Sequence, residues 1–317
     1  MKDGVLYYPG LSSKTAIFES CGVEVIFPAL IDRDFNTSML QLSITSASFG
    51  IKPAFHCYSL SLAANARKAM NRLIAVVTGG TKGIGLGIAE ALLKHNASLA
   101  VTYHQDDTAA ENAKKRLQVQ AHNDQKILLL KGDVGDFTAT ETHHRTIVAR
   151  LGEITVLVNN AAMVMPRSLE DVTIEEWNQT VRVNLSGAFY WSSLVVPGMK
   201  KTGFGRIINI SSIAARGGGV VGPHYAASKS GMLGLTRYAA RELGPFGITV
   251  NAIAPAFIED ASIFASWTAE QKAELKKKVF VPRLGLVADV VNAFEYLLET
   301  PYVTGVTLDV NGGAFVI

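Results

Sequence analysis

The passage from Leu73 to Leu93 constrains the fold more than any other part of the chain. Leu73–Val77 is a short apolar run with paired valines, the pattern of a buried strand. It leads into Thr78-Gly79-Gly80-Thr81-Lys82-Gly83-Ile84-Gly85, and a helical pattern follows with Ile84, Ile88, Ala91 and Leu92 on one face. Strand, glycine turn and helix make the opening unit of a dinucleotide-binding fold. Glycines let the backbone approach a pyrophosphate, and the helix N-terminus offers free N–H groups and the positive end of its dipole. Glycines also mark ordinary loops, so the rest of the chain must agree.

It does. Candidate strands fall at 73–78, 98–103, 126–131, 155–159, 206–211, 248–253 and 306–310, with helical patterns at 83–95, 137–151, 175–202, 225–244 and 287–299. Such alternation predicts a parallel sheet with helices on both faces, and ligands outside the carboxyl ends of its strands. Thr78, Asp133, Asn159 and Ser212 all stand at or just after such ends.

Tyr225 and Lys229 lie four residues apart on a predicted helix, thirteen residues after Ser212. Positions i and i+4 share a helix face, so a phenol and an ammonium would enter one site. Tyrosine ionises near ~10, and a neighbouring cation lowers that value. A phenol tuned this way exchanges a proton with a carbonyl or alcohol oxygen. A lone pair of this spacing is ordinarily a surface feature; here it follows the glycine turn.

The T-G-x-x-x-G-x-G spacing, together with Tyr225 and Lys229, resembles the short-chain dehydrogenase/reductase family. The resemblance covers residues 70–317, continuing through Asp133-Val134, Asn159-Asn160-Ala161-Ala162, Asn184, Ser211-Ser212, Asn251–Ala256 and Asp309–Gly313. It implies a Rossmann-type, doubly wound α/β domain with a seven-stranded parallel sheet. It implies Tyr225 as proton donor, Lys229 tuning Tyr225 and holding the nicotinamide ribose, Ser212 stabilising the carbonyl oxygen, and Asn184 positioning a water. For the cofactor it implies Thr78, Gly79, Thr81, Lys82, Gly83, Ile84 and Gly85 at the phosphates, Asp133 and Val134 at the adenine, then Asn160, Ala161, Tyr225, Lys229, Pro255, Phe257 and Ile258. Ala162 and Ala256 stand where the family often has glycine. Asp260 stands where relatives often have threonine, a carboxylate expected to weaken phosphate contacts.

Within the family the resemblance is to the 3-oxoacyl-(acyl-carrier-protein) reductases, through Ile207–Ser212, Ala254–Glu259 and Arg283-Leu284-Gly285. A reductase of 3-oxoacyl thioesters in fatty-acid synthesis is the implied function. A reductase of small ketones, quinones or sugars, and a weakly active cofactor-binding partner subunit, stay open as alternatives. The second strand ends Thr102-Tyr103-His104-Gln105, with Asp106 arriving late. Without an acid to take the ribose 2′-OH, and with Lys82 available for a 2′-phosphate, NADP(H) is expected over NAD(H). The segment Phe257–Pro282, with Phe257, Ile263, Phe264, Trp267 and Phe280, is expected to carry substrate choice. Lys200, Lys201, Arg206, Arg237 and Arg241 are candidate docking cations for an acidic acyl carrier protein. Long apolar helices suggest a homotetramer.

A net charge of +3 without a dense basic tract gives no case for nucleic acid, and no apolar run is long enough for a membrane span. Two cysteines, Cys21 and Cys57, build no zinc site or disulfide framework. No metal site is expected, and His143-His144 reads as a solvated pair. Residues 1–69 lie outside the resemblance and read as an extension. From Phe35 to Ala89 there is no acidic residue, while serines and basic residues are present, a texture like a mitochondrial transit peptide. A poorly ordered extension or misplaced upstream sequence fits too, so mitochondrial matrix and cytoplasm both stay open.

Overall fold

The structure is a computed structural model that describes residues 73–122, 124–261 and 268–316. The expectation for residues 1–69 lies outside the described residues.

The first half of the domain comprises β1 (Ile74–Thr78), α1 (Gly83–Lys94), β2 (Ser98–Tyr103), α2 (Asp107–Gln120), β3 (Ile127–Lys131), α3 (Phe137–Arg150) and β4 (Val156–Asn159). The second comprises α4 (Ile174–Val181), α5 (Gly187–Thr202), β5 (Gly205–Ile210), α6 (Ala214–Gly217), α7 (Pro223–Leu243), β6 (Ile248–Pro255), α8 (Ala269–Lys276), α9 (Val287–Glu299) and β7 (Thr307–Val310). All seven strands are parallel, in the order β3-β2-β1-β4-β5-β6-β7. The fold is therefore the expected doubly wound α/β sheet. Strand order reverses between β1 and β4, which opens a crevice at their carboxyl ends.

The central strands are mainly apolar because helices cover both of their faces, although β5 also buries Arg206 and Asn209. One layer packs Ile88, Leu92 and Leu93 of α1, Leu117 of α2, and Val290, Phe294 and Leu297 of α9 against the sheet. The other packs Ile147 of α3, Trp191, Val195 and Met199 of α5, and Leu243 of α7. Full burial of a side chain such as Leu92 stabilises the fold by ~1.5–3 kcal/mol.

Three local departures bear on the site. The helix expected over 175–202 is two helices joined by a π-helical turn at Arg182–Ser186, where the Gly187 N–H bonds the Arg182 carbonyl. A side chain at Gly187 would meet the Val134 carbonyl at 2.9 Å, so the turn brings α5 against the loop after β3. Helix α2 was not among the expected helices because its inward face is narrow: Ala110, Ala113 and Leu117. Helix α8 is nearly patternless and buries only Leu275; a Thr268/Gln271 capping box fixes its start.

Candidate active site

A cavity of about 820 Å³ opens at the carboxyl edge of the sheet. It runs from Lys82, His104 and Asp106 past Asp133, Asn160 and Ala161 to Ser212, Tyr225 and Lys229. Most residues expected to bind the cofactor lie on its wall, namely Gly79, Thr81, Lys82, Ile84, Asp133, Val134, Asn160, Ala161, Pro255, Phe257 and Ile258. Thr78, Gly83 and Gly85 do not; they shape the loop from behind. The Thr78 hydroxyl donates to the Val158 carbonyl at 3.3 Å and accepts from the N–H groups of Asn160 and Ala161, both at 3.0 Å. The Asn160 amide returns bonds to the carbonyls of Thr78 and Gly79 at 2.9 and 3.0 Å. Gly83 starts α1 at φ +50, a conformation that favours glycine. At Gly85 a Cβ would meet the Gly79 carbonyl at 2.6 Å, so only glycine lets loop and helix close together. The N-cap of α1, Lys82, makes no side-chain cap, which leaves the first N–H groups of the helix available to an anion.

The reacting end is apolar and tight. Tyr225 is 7 % exposed and Lys229 2 %. Burial pushes the Tyr225 phenol above its ordinary value, and a hydrogen bond with the Ser212 hydroxyl pulls the other way. Lys229 Nζ donates to the Ile210 carbonyl at 2.7 Å and sits 5.8 Å from the centroid of the Tyr225 ring. Burial drives the ammonium from its ordinary 10.5 to about 8. This corrects one expectation: Tyr225 is not lowered by Lys229 here, because burial dominates and the opposing pull comes from Ser212, not from the ammonium 5.8 Å from the ring centroid. Asn184 is enclosed and does not line the cavity. Its amide oxygen accepts from the Met163 N–H at 2.7 Å, and its amide donates to the Met163 carbonyl at 3.0 Å and to Ser228 Oγ at 3.2 Å. Both amide hydrogens are used, so its side chain fixes the wall residue Met163 instead of presenting itself to the site.

At the opposite end, Asp106 folds back beside the glycine turn. It caps α2 through the Ala109 N–H at 2.9 Å and meets Lys82 Nζ at 2.6 Å. The acid that arrives late in sequence is therefore present in the site, because the Tyr103–Asp106 turn reverses the chain. Burial opposes the charge on Asp133, but the Gly135 N–H and the Arg182 guanidinium, at 2.8 Å each, hold its carboxyl below the usual range.

The substrate side of the wall comes from segments without a motif: Met163, Val164, Val220, Val221, Lys278 and Phe315. Only the spacing of the loops from the strand ends could have suggested them. Phe257 holds φ +45, an unusual backbone for a bulky residue, at the cavity wall. Phe280, expected to face an acyl chain, is instead exposed and covers Gly313. Ile263, Phe264 and Trp267 lie outside the described residues. Asp260 turns away from the cavity, its Oδ1 accepting from the Val287 N–H at 2.8 Å to cap α9.

The docking cations also need correction. Arg206 is 2 % exposed, donates to the carbonyls of Leu298 and Gly205 and lies over the Phe204 ring, so it cannot meet a partner. Lys200 and Lys201 pair with Glu242 and Glu153. Both precede β5, whose six residues span ~20 Å, so they lie at the far end of the sheet from Ser212 in the same chain. Arg237 stands twelve residues along α7 from Tyr225, ~18 Å down its axis. His143 and His144 are half-buried, not solvated, and burial pushes both imidazoles below their ordinary value. Among the described residues no cluster could hold a metal ion, and no helix is long and apolar enough to cross a membrane.

A nicotinamide dinucleotide fits what is present. The glycine turn has no room for side chains where it is closest, the helix N-terminus is uncapped, Asp133 and Asp106 offer acceptors at one end, and Tyr225 and Lys229 stand at the other. The short chain dehydrogenase pattern matches residues 73–272. The chain is 36% identical to a 3-oxoacyl-(acyl-carrier-protein) reductase of Salmonella typhimurium over 246 residues, 77% of this chain and 98% of that protein. It is 34% identical to an acetoacetyl-CoA reductase of Shinella zoogloeoides over 246 residues, 77% and 99% of the two chains. It is also 34% identical to an uncharacterized short-chain type dehydrogenase/reductase of Sinorhizobium fredii over 250 residues, 76% and 97%. Sheet order, glycine turn and these matches agree: the chain belongs to the short-chain dehydrogenase/reductase family, the NAD(P)-dependent oxidoreductases that interconvert carbonyl and alcohol groups.

Proposed function

We propose that this protein reduces 3-oxoacyl thioesters to 3-hydroxyacyl thioesters, with NADPH preferred, in fatty-acid synthesis. The observation that carries it is Ser212 set beside the buried Tyr225 and Lys229 at one end of a long cavity whose adjoining wall is apolar. A bound nicotinamide supplies the hydride. The Ser212 hydroxyl donates to the substrate carbonyl oxygen and stabilises the charge that develops there. Tyr225, a neutral phenol at physiological pH whose pKa burial raises further, gives that oxygen its proton. Lys229 is charged at neutral pH, so it orients the ribose hydroxyls and attracts electron density toward the phenol as the proton leaves. A neutral phenol is the form needed for reduction. Asn184 is a positioning residue, acting through Met163 and Ser228.

For the cofactor, the Lys82–Asp106 pair is half-exposed on both sides and hence weak. A 2′-phosphate carries more charge than one carboxylate and competes for Lys82 on favourable terms. Named relatives that reduce acyl-carrier and CoA thioesters support the substrate class, and the domain at 70–317 is taken as the catalytic unit. Exposed Ile174 and Trp177 on α4, Phe189 on α5 and Tyr238 on α7 support assembly of copies into a homotetramer. The direct test is NADPH and NADH oxidation with acetoacetyl thioesters against small ketones, quinones and sugars. Thioesters should give the highest kcat/KM; a small ketone or quinone that exceeds them tenfold would displace this reading.

A further inference from the structure

Three lysines stand on the described cavity wall, each in a different setting. Lys229 is buried and bonded to the Ile210 carbonyl. Lys82 is tied to Asp106 at 2.6 Å. Lys278 is exposed and makes no ion pair or side-chain hydrogen bond among the described residues. Several neighbouring charges are already matched. Lys272 pairs with Glu259 at 3.5 Å, Lys277 with Glu274 at 2.5 Å, and Arg283 with Asp289 at 2.6 Å. Asp309, on the last strand, is taken by Arg216 at 3.2 Å. Lys278 is thus the one uncompensated cation that the described wall presents outside the reacting centre.

Its backbone is held in place. The Lys278 N–H bonds the Leu275 carbonyl at 3.0 Å, and the N–H groups of Phe280 and Val281 bond the Gly312 carbonyl at 2.8 and 3.0 Å. The segment is therefore sewn to the C-terminal turn that carries Phe315 onto the cavity wall. The Phe315 ring lies against Gly217, where a Cβ would meet it at 3.3 Å, five residues beyond Ser212. Lys278 belongs to the Ser212 side of the mouth, opposite in role to Lys82.

A 3-oxoacyl thioester has two ends. Its acyl chain suits the apolar wall, and its other end is a long polar arm that carries a phosphate when borne by coenzyme A or by a carrier. Given the thioester function proposed above, we infer that Lys278 receives the phosphate of that arm as a point charge at the mouth, and so selects phosphate-bearing thioesters.

The test compares Lys278→Ala and Lys278→Glu with the unaltered protein on acetoacetyl-coenzyme A, acetoacetyl carrier protein and acetoacetyl-pantetheine, which lacks the phosphate. An exposed charge contact should raise KM about three- to tenfold in Lys278→Ala, more in Lys278→Glu, with kcat unchanged and the effect shrinking in salt. Acetoacetyl-pantetheine should not respond. A response with only one of the two phosphate-bearing substrates names that one as the source. If all three respond alike, or if the KM for NADPH rises by the same factor, Lys278 does not read the arm and the inference falls while the thioester function stands. If none of the thioesters is reduced and small ketones are, both fall.

Discussion

Replacing Lys229 with methionine should change how stability depends on pH, in a direction set by burial alone. The ammonium is enclosed with one carbonyl partner, and its pKa falls from 10.5 to about 8. The folded chain therefore binds fewer protons than the unfolded chain between those values. Stability must rise as pH climbs through that window, and the cost is fully present below it. The whole drop, at ~1.4 kcal/mol for each pH unit, is worth about 3 kcal/mol. Tyr225 works the other way only above pH ~10, because its raised pKa makes the folded chain hold a proton that the unfolded chain releases. Confined to pH 7–9.5, the measurement isolates the lysine, and roughly 2 kcal/mol of the gain should appear by the upper limit. Denaturant unfolding of the unaltered protein and of Lys229→Met, without cofactor, reads it out. Loss of the hydrogen bond to Ile210 shifts the mutant by a constant, since that carbonyl does not titrate. The difference between the two proteins should grow by about 2 kcal/mol from pH 7 to 9.5 in favour of the unaltered chain. A difference that stays flat, or grows with the opposite sign, would mean that Lys229 is not desolvated as the structure has it.

Tyr225→Phe should cut carbonyl reduction at least ~100-fold and leave the unfolding midpoint within a degree or two, as only the phenol oxygen is lost; near-normal turnover would assign the proton to another group. Lys82→Ala should lower the NADPH-over-NADH ratio of kcat/KM severalfold and Asp106→Asn should raise it, because the two side chains compete at one place; unchanged ratios in both would remove this pair from cofactor choice. Thr78→Val leaves the N–H groups of Asn160 and Ala161 without their acceptor and should cost ~2–3 kcal/mol, seen as a lower melting temperature and weaker cofactor binding; Thr78→Ser should restore both. Light scattering at micromolar concentration should give four times the chain mass, and Tyr238→Glu should reduce it; a monomer mass in the unaltered protein would refute the tetramer.

The sheet was legible because it is the most redundant part of the chain. Val76, Leu99 and Leu157 sit in apolar runs that only a strand covered on both faces needs, and the strand boundaries in the structure shift by a residue or two. The Ser212, Tyr225 and Lys229 cluster was legible because strand end and helix spacing bring them together. What sequence concealed was orientation. Arg206 looked like a surface cation and is buried, because nothing local records that β5 starts beneath the end of α9. Asp260 looked like a cofactor neighbour and caps a helix instead. Asp106 looked too late to matter and returns to Lys82 through a turn. Each of these depends on a contact more than 20 residues away, which local pattern does not encode.

The same contrast explains where the fold accepts cost. The sheet core mostly obeys local rules: chiefly apolar residues inside, strands paired along their length, helices packed on each face, with buried Arg206 and Asn209 hydrogen-bonded within it. Further exceptions gather at the carboxyl edge. Lys229 is a buried ammonium with its pKa drawn down to about 8, Phe257 sits at φ +45, the helix before Asn184 loosens into a π-turn, and His224, beside Tyr225, is fully enclosed with neither ring nitrogen bonded to another protein group. Strained or desolvated groups persist only where surrounding structure over-determines them. Here β5, β6 and α7 supply that rigidity. A chain selected for stability alone would carry an apolar residue at 229 and a relaxed backbone at 257. Both exceptions lie on the wall of one cavity at this edge of the sheet.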